Sequence, residues 1–140
     1  MRYAFLSLSL TLLPTSVFAD EPDISGKISV ELNNAQSSEG GGNLTFVVIN
    51  GLNSRIEQLV VEDVLFDTAG KVDRLTLFDF GAAPVARPRV RQFGLSHTSC
   101  ENLGRVLFNG SQTCAGAGLD TSTCDAAFQP TSRTGIEATG

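Results

Sequence analysis

Two early stretches of the chain carry the apolar and polar pattern of β-strands. Residues 28–32 alternate apolar with polar side chains, which is typical of a strand with one buried face. Residues 44–49 read Leu-Thr-Phe-Val-Val-Ile, and a short run of β-branched and aromatic residues is typical of a central strand. Residues 33–42 between them are rich in Ser, Asn and Gly, so we expect a flexible connector there.

A hairpin is the clearest feature of the middle of the chain. Residues 59–66 and 71–80 are rich in apolar and β-branched side chains, and the sequence Asp-Thr-Ala-Gly lies between them at residues 67–70. An Asp that bonds its own backbone and a Gly that tolerates positive φ are typical of a four-residue turn. The acidic pair Glu62-Asp63 indicates the solvent face or a bulge, because two adjacent residues cannot both face outward in a regular strand.

A basic segment follows the hairpin. Arg87, Arg89 and Arg91 share one face of an extended stretch, and the next two residues of that parity are apolar. Pro88 cannot donate to a strand ladder, so we predict an edge strand. The phenylalanines of this stretch and of the hairpin are expected in the core, namely Phe66, Phe78, Phe80 and Phe93.

The last third of the chain carries weaker strand signals. Residues 105–108 are followed by Asn109-Gly110, a strong signal for a two-residue hairpin turn if residues 111–114 pair back. A loop of small residues spans 116–123, and one short strand is expected near Ile136. No stretch has a convincing 3.6-residue apolar stripe. About seven short strands separated by turn signals predict an all-β fold, an antiparallel β-sandwich.

Three short motifs resemble those of the FxLYD-like domains, which are small exported bacterial β-sandwiches. They are Val64-Leu65-Phe66-Asp67, Gly70-Lys71-Val72 and Phe93-Gly94-Leu95. Apart from its first residues, the whole chain is also similar to a group of small exported alphaproteobacterial proteins. The resemblance implies an immunoglobulin-like fold and no activity. Those proteins often have another Cys near the start of the second strand, where this chain has Asn43.

The first residues predict export. A short basic segment, residues 1–3, precedes an apolar run over 4–16 and small residues at the two positions that signal peptidase reads before the predicted cleavage after Ala19. We expect one domain over residues 20–140, with a polar leader and a C-terminal tail. The apolar run is shorter than the ~20 residues that span a bilayer, and Pro14 interrupts it, so no membrane insertion is expected. The predicted location is the periplasm or the extracellular space.

Charge and aromatic content narrow the classes of partner. Without Arg2 the chain has nine Lys and Arg against fifteen Asp and Glu, a formal charge of −6. Such an excess of acid disfavours nucleic acid and anionic membranes, because binding either of them requires neutralisation of phosphates. The only Tyr is Tyr3 and there is no Trp, which disfavours a sugar-binding function.

The three cysteines predict one disulfide and one free thiol, because an exported protein folds in an oxidising compartment. Loop entropy does not choose between Cys100–Cys114 and Cys114–Cys124, since the two differ by only ~0.3 kcal/mol. If residues 109–110 form a hairpin turn, Cys114 faces Arg105 and Cys100 lies beyond the paired region. Geometry therefore favours the pair Cys114–Cys124.

No motif that could carry chemistry has the context it needs. His97 and the three cysteines are acceptable zinc ligands, but their spacing is not that of a structural zinc module. Ser96 and His97 are adjacent, so their side chains point in different directions, and no nucleophile elbow surrounds Ser96. Residues 79–81 spell Asp-Phe-Gly without the glycine-rich loop of a kinase. We therefore expect no catalytic residue, no cofactor and no metal.

The arginine row is the one feature that is open to a functional interpretation. Cationic side chains along an exposed strand protect its edge from aggregation, and Asp73 or Asp79 would then pair with them across strands. Alternatively, Arg87, Arg89 and Arg91 dock an acidic protein surface through bidentate bonds to carboxylates.

These observations favour a non-catalytic binding or structural interaction module of the bacterial cell envelope, with the arginine row as its possible interface. The alternative is an inhibitor that inserts its Gly-rich loops, residues 40–43 and 116–123, into the cleft of a hydrolase. The sequence specifies neither the partner nor the oligomeric state.

Overall fold

The computed structural model of the protein describes residues 12–14, 16 and 23–140. The predicted cleavage site after Ala19, and most of the predicted signal peptide before it, lie outside the described residues. Within the described residues, no helix is both long and apolar enough to cross a membrane.

Two four-stranded sheets face each other as a β-sandwich, which confirms the predicted all-β class. Sheet A has the order β5-β2-β1-β7 and sheet B has the order β4-β3-β6-β8. The strands are β1 (Ile28–Ser38), β2 (Gly41–Asn50), β3 (Ile56–Asp67), β4 (Val72–Ala83), β5 (Arg89–Ser96), β6 (Leu103–Ala115), β7 (Phe128–Ser132) and β8 (Glu137–Thr139). A 3-10 turn, Cys100–Asn102, precedes β6, and a short helix, α1 (Thr121–Ala127), precedes β7.

The pairing is antiparallel except at the two C-terminal strands. β7 runs parallel to β1, and β8 runs parallel to β6, so both sheets are mixed. The predicted purely antiparallel arrangement is therefore correct for the first six strands only. The last segment reaches sheet A by way of α1 and then crosses to sheet B, where it adds one short strand to each sheet.

The predicted connector over residues 33–42 is wrong. β1 continues to Ser38, and β2 begins at Gly41, so only Glu39 and Gly40 form the turn. Gly40 has a φ of 82°, which a glycine adopts without strain. Pairing with β2 satisfies the backbone N–H and C=O groups of β1 as far as Ser38. The region therefore continues the strand, and its polar side chains are exposed or half-buried.

The predicted hairpin of β3 and β4 is confirmed. The carboxylate oxygen Oδ1 of Asp67 accepts hydrogen bonds from the backbone N–H groups of Ala69 and Lys71, both at 2.9 Å. Gly70 has a φ of 81°, and its N–H donates to the carbonyl of Asp67 at 3.1 Å. The turn thus has the local bonds that its sequence predicts.

The predicted turn at Asn109-Gly110 is wrong. β6 runs without a reversal from Leu103 to Ala115, and Gly110 lies opposite Glu62 of β3. Register shifts on either side of Glu62 accommodate the extra residues as bulges. A long continuous β6 gains ladder bonds to the twelve-residue β3, and a two-residue hairpin would lose them.

An aromatic cluster fills the space between the sheets. Phe46 of β2 is completely buried, and its ring centroid lies 5.7–6.0 Å from those of the four phenylalanines around it, Phe78, Phe80, Phe93 and Phe108. Phe66 is not part of this core, contrary to prediction. It lies on the outer surface of sheet B, with the guanidinium of Arg105 5.5 Å from its ring centroid.

Candidate interaction surfaces

The cysteines form one disulfide, Cys114–Cys124, and Cys100 is a free thiol. The predicted pairing is confirmed, although the hairpin turn from which it was argued does not exist. α1 brings Cys124 over the end of β6 and is held there by Asp125, whose Oδ1 accepts from the N–H of Ser111 at 2.7 Å. The disulfide removes two of the four candidate zinc ligands from the thiolate form that zinc requires.

His97 and Cys100 do not belong to a metal-binding group of side chains in the described part of the chain. His97 is exposed at a turn with a φ of 63°, and Cys100 is half-buried against Gly42. Within residues 23–140, no group of three or more His, Cys, Asp or Glu side chains could hold a metal ion.

The two Gly-rich segments named for the inhibitor alternative are held in place. Only Gly40 of the first segment lies in a turn, because β2 begins at the next residue. The second is tied down at its far end by the disulfide to Cys124 and by the helix cap at Asp120, which accepts from the N–H of Thr123 at 2.8 Å.

Arg89 and Arg91 lie on β5 and Arg87 lies just before it, and β5 contacts β4, so the edge strands of the two sheets form a seam. The edge position of the row is confirmed, but β5 alternates so that Arg89 and Arg91 share the parity of the buried Leu95. Arg91 donates through Nε to the carbonyl of Phe80 at 2.7 Å and through Nη2 to that of Ala82 at 3.1 Å. Arg91 therefore bridges the two sheets.

A second arginine closes the same seam from the opposite sheet. Arg74 of β4 donates through Nη2 to the carbonyl of Ser96 at 2.6 Å and to the hydroxyl of Thr98. Each edge strand thus sends one guanidinium across to backbone carbonyls at the end of the other. The other two members of the row differ from Arg91, since Arg89 bonds the neighbouring Pro88 carbonyl at 3.0 Å and Arg87 is exposed.

Asp73 and Asp79, the predicted cross-strand partners of the arginine row, form their bonds with other residues. Asp73 forms an ion pair with Arg74 at 3.2 Å and accepts from the hydroxyl of Thr98. Asp79 accepts from the N–H of Gly81 at 2.8 Å and from the amide of Gln58 at 3.5 Å. The prediction that either aspartate pairs with the arginine row is wrong, because both lie on β4 beside nearer donors.

Asp63 is the most unusual side chain of the core. It is 0% exposed, and neither of its carboxylate oxygens has a hydrogen-bond partner. It shares its parity along β3 with the buried Val61 and Leu65, and it lies opposite Thr76 of β4 and Phe108 of β6. The expected bulge is present beside it, but of the acidic pair only Glu62 faces outward.

The environment of Asp63 disfavours its charged form. Burial, with a smaller contribution from the charge of Glu62, raises the pKa of the Asp63 carboxyl to about 8. The group is therefore mainly protonated and neutral at pH 7. No sequence pattern signals this, because an Asp next to a Glu in a strand is typical of a solvent-facing pair.

An apolar surface covers the outer side of sheet B along its edge strand. Val72, Leu75 and Leu77 of β4 are 54%, 60% and 49% exposed. Leu75 lies beside Val64 of β3, and Val64 lies beside Leu107 of β6, so one apolar row crosses three strands. We call this surface, made of the exposed trio with Val64 and Leu107 behind it, the β4 face.

Sequence reasoning missed the β4 face for a definable reason. Residues 75, 77 and 78 are all apolar, so the strand pattern does not show which parity is buried. The structure places Phe78 and Phe80 in the core and thereby turns Leu75 and Leu77 toward solvent. The phenylalanines are the larger side chains, and their burial removes more apolar area from water.

Comparisons with protein-family models, with curated proteins and with solved structures found no match to this chain.

Proposed function

We propose that the protein is a non-catalytic protein-interaction module of the bacterial cell envelope, exported to the periplasm or beyond, and that it binds through the β4 face. The observation that carries the proposal is the row of half-exposed side chains Val72, Leu75 and Leu77 on an edge strand. Contiguous apolar surface of this kind marks sites of protein association.

The expected contribution of this surface to binding is substantial. Burying a whole Val or Leu side chain is worth about 1.5–3 kcal/mol, and these three are about half exposed, so each has roughly 1 kcal/mol still to contribute. Between Arg74 and Phe80, the edge of β4 adds backbone donors and acceptors that a partner strand can pair with. Together they favour an extended or sheet-forming protein partner.

The arginine row contributes less to the proposed binding than the sequence predicts. Arg91 already donates to the carbonyls of Phe80 and Ala82, so it has fewer donors left for an acidic partner. Its role in the proposed module is to hold the two sheets together beside the binding strand. Arg89 lies on β5, the edge strand of sheet A, and Arg87 precedes that strand.

The proposal is tested by site-specific photocrosslinking in the bacterium that makes the protein. A photoreactive amino acid replaces Leu75 in one strain and Gln92 in the other. Gln92 is exposed on the outer side of sheet A and serves as the matched control. We expect protein adducts from position 75 at several times the yield from position 92. Equal yields, or no adduct from position 75, would contradict the proposal.

A further inference from the structure

Two acidic side chains lie beside Leu77 of the β4 face. Glu62 of β3 lies directly opposite Leu77, and Asp79 is the next residue of β4 that points to the same side of the sheet. Glu62 and Asp79 are therefore diagonal neighbours on two paired strands, a separation of about 7–8 Å that one long side chain can bridge. We call Glu62 and Asp79 the acidic border.

The cations of sheet B do not compensate the acidic border. The strands of this sheet contain two of them, Arg74 on β4 and Arg105 on β6. Arg74 is directed to the seam, and Arg105 is paired with Glu137 at 3.1 Å. Lys71 belongs to the hairpin turn at the opposite end of β4. Neither residue of the acidic border forms an ion pair with another described residue.

A hollow beside Glu62 leaves room for a side chain of a partner. Its volume is about 210 Å³, and it is lined by Glu62, Asn109, Gly110, Ser111 and Gln112. Gly110 lies opposite Glu62 on β6 and has no side chain, so nothing covers the carboxylate from that position. The amide of Asn109 donates to Oε1 of Glu62 at 2.7 Å and holds the carboxylate at the hollow.

The acidic border limits which partners can cover the β4 face. A purely apolar partner would remove the two carboxylates from water without pairing them, which costs free energy. An acidic partner would add repulsion between like charges. A partner with a cationic side chain beside apolar ones can pair with the carboxylates and pack on Leu77, and the net charge of −5 favours its approach. A second copy of this chain brings the same acids and fits less well.

We propose that the β4 face binds a basic apolar segment of another envelope protein. Apolar side chains of the segment pack on Leu75 and Leu77, and a lysine or arginine beside them enters the hollow and pairs with Glu62 and Asp79. This inference rests on the proposed function and names the chemistry of the partner.

Removal of the two charges tests the inference. In the double variant E62Q/D79N, the new amide oxygens can still accept from Asn109 and from the N–H of Gly81, so the local bonds are kept and the charges are lost. The matched control is E39Q/E101Q, which removes two exposed charges outside the β4 face. Urea unfolding of the purified variants verifies that each one folds.

The measurement is photocrosslinking from position 75 in the bacterium that makes the protein, with the crosslinked segment identified by mass spectrometry. We expect a segment with Lys or Arg next to apolar residues. The adduct yield should fall about threefold to tenfold in E62Q/D79N and stay unchanged in E39Q/E101Q. The single variants E62Q and D79N should each lose part of the yield, so the test does not depend on the fold of the double variant.

Three results would overturn the inference and leave the proposed function standing, because position 75 would still contact a protein. They are a crosslinked segment without Lys or Arg, a yield that loss of the two charges leaves unchanged or raises, and an adduct with a second copy of this chain. No adduct from position 75 would overturn the proposed function and this inference together.

Discussion

At the scale of single residues, the core contains a side chain, Asp63, that destabilises the folded protein at neutral pH. Asp63 is completely buried, and its carboxylate oxygens have no hydrogen-bond partner. Glu62, next to it on β3, adds a like charge, and Arg74, two residues from the facing Thr76 on β4, directs its guanidinium to Ser96 and Thr98. Neither compensates the carboxylate, so the protein keeps it protonated.

The raised pKa of Asp63 gives a signed prediction for stability. Below pH ~4 the carboxyl is protonated in both the folded and the unfolded state. From pH ~4 to about 8 only the unfolded state loses its proton, so the free energy of unfolding falls as pH rises, by up to about 1.4 kcal/mol per pH unit. Above that range the loss levels off. Urea unfolding measured between pH 5 and pH 8 should show this slope.

Substitution isolates the effect of this carboxyl. Asp63→Asn removes the titrating group and should flatten the slope, whereas Glu57→Gln, at an exposed carboxyl of the same strand, should leave it unchanged. Carboxyls whose pKa is lowered, such as Glu31 and Asp120, lose their stabilising effect only as pH falls below ~4.5 and do not act in this window. A wild-type slope in D63N would rule out Asp63 as the source.

At the scale of elements, the two sheets are joined along one side by reciprocal arginines. Arg91 reaches from β5 to β4, and Arg74 reaches from β4 to the end of β5. These bonds satisfy carbonyls of edge strands, which would otherwise be free to pair with another chain. The seam therefore protects the edge of β4 at Arg74 and from Phe80 onward.

This account predicts that the members of the arginine row are not equivalent. Arg91→Ser removes two charge-assisted bonds at a partly exposed site and should lower the free energy of unfolding by roughly 1–2 kcal/mol. Arg87→Ser, at an exposed position of the same row, should change it by less than ~0.5 kcal/mol. Urea unfolding of both variants at pH 6 measures the two losses of unfolding free energy. Equal losses would show that Arg91 does not bridge the two sheets.

Local sequence predicted the elements whose cause is local. The turn at Asp67 to Gly70 is formed by bonds within those residues and the next one, so its sequence was sufficient. Asn109-Gly110 is an equally strong local signal, yet β6 passes straight through it because β3 lies alongside. The lengths of β1 and β6, the parallel strands β7 and β8 and the burial of Asp63 all depend on strands that are distant in sequence.

At the scale of the whole molecule, the described chain has an apolar interior, a closed seam and one apolar strand that is open to solvent. The candidate zinc and catalytic residues are separated or joined in a disulfide, so the β4 face is the surface on which the proposed function depends. A protein of net charge −5 that exposes such a face on an edge strand risks uncontrolled association. The association proposed for this protein would cover the face.

The most direct test of this account asks whether the β4 face is covered in the cell. In a Cys100→Ser background, Leu75→Cys places a thiol on the β4 face. Gln92→Cys in the same background, on the outer side of sheet A, is the control. We expect a maleimide to label L75C several times more slowly in intact cell envelopes than in the purified protein, while Q92C is labelled at the same rate in both. Equal rates for L75C in both would contradict the account.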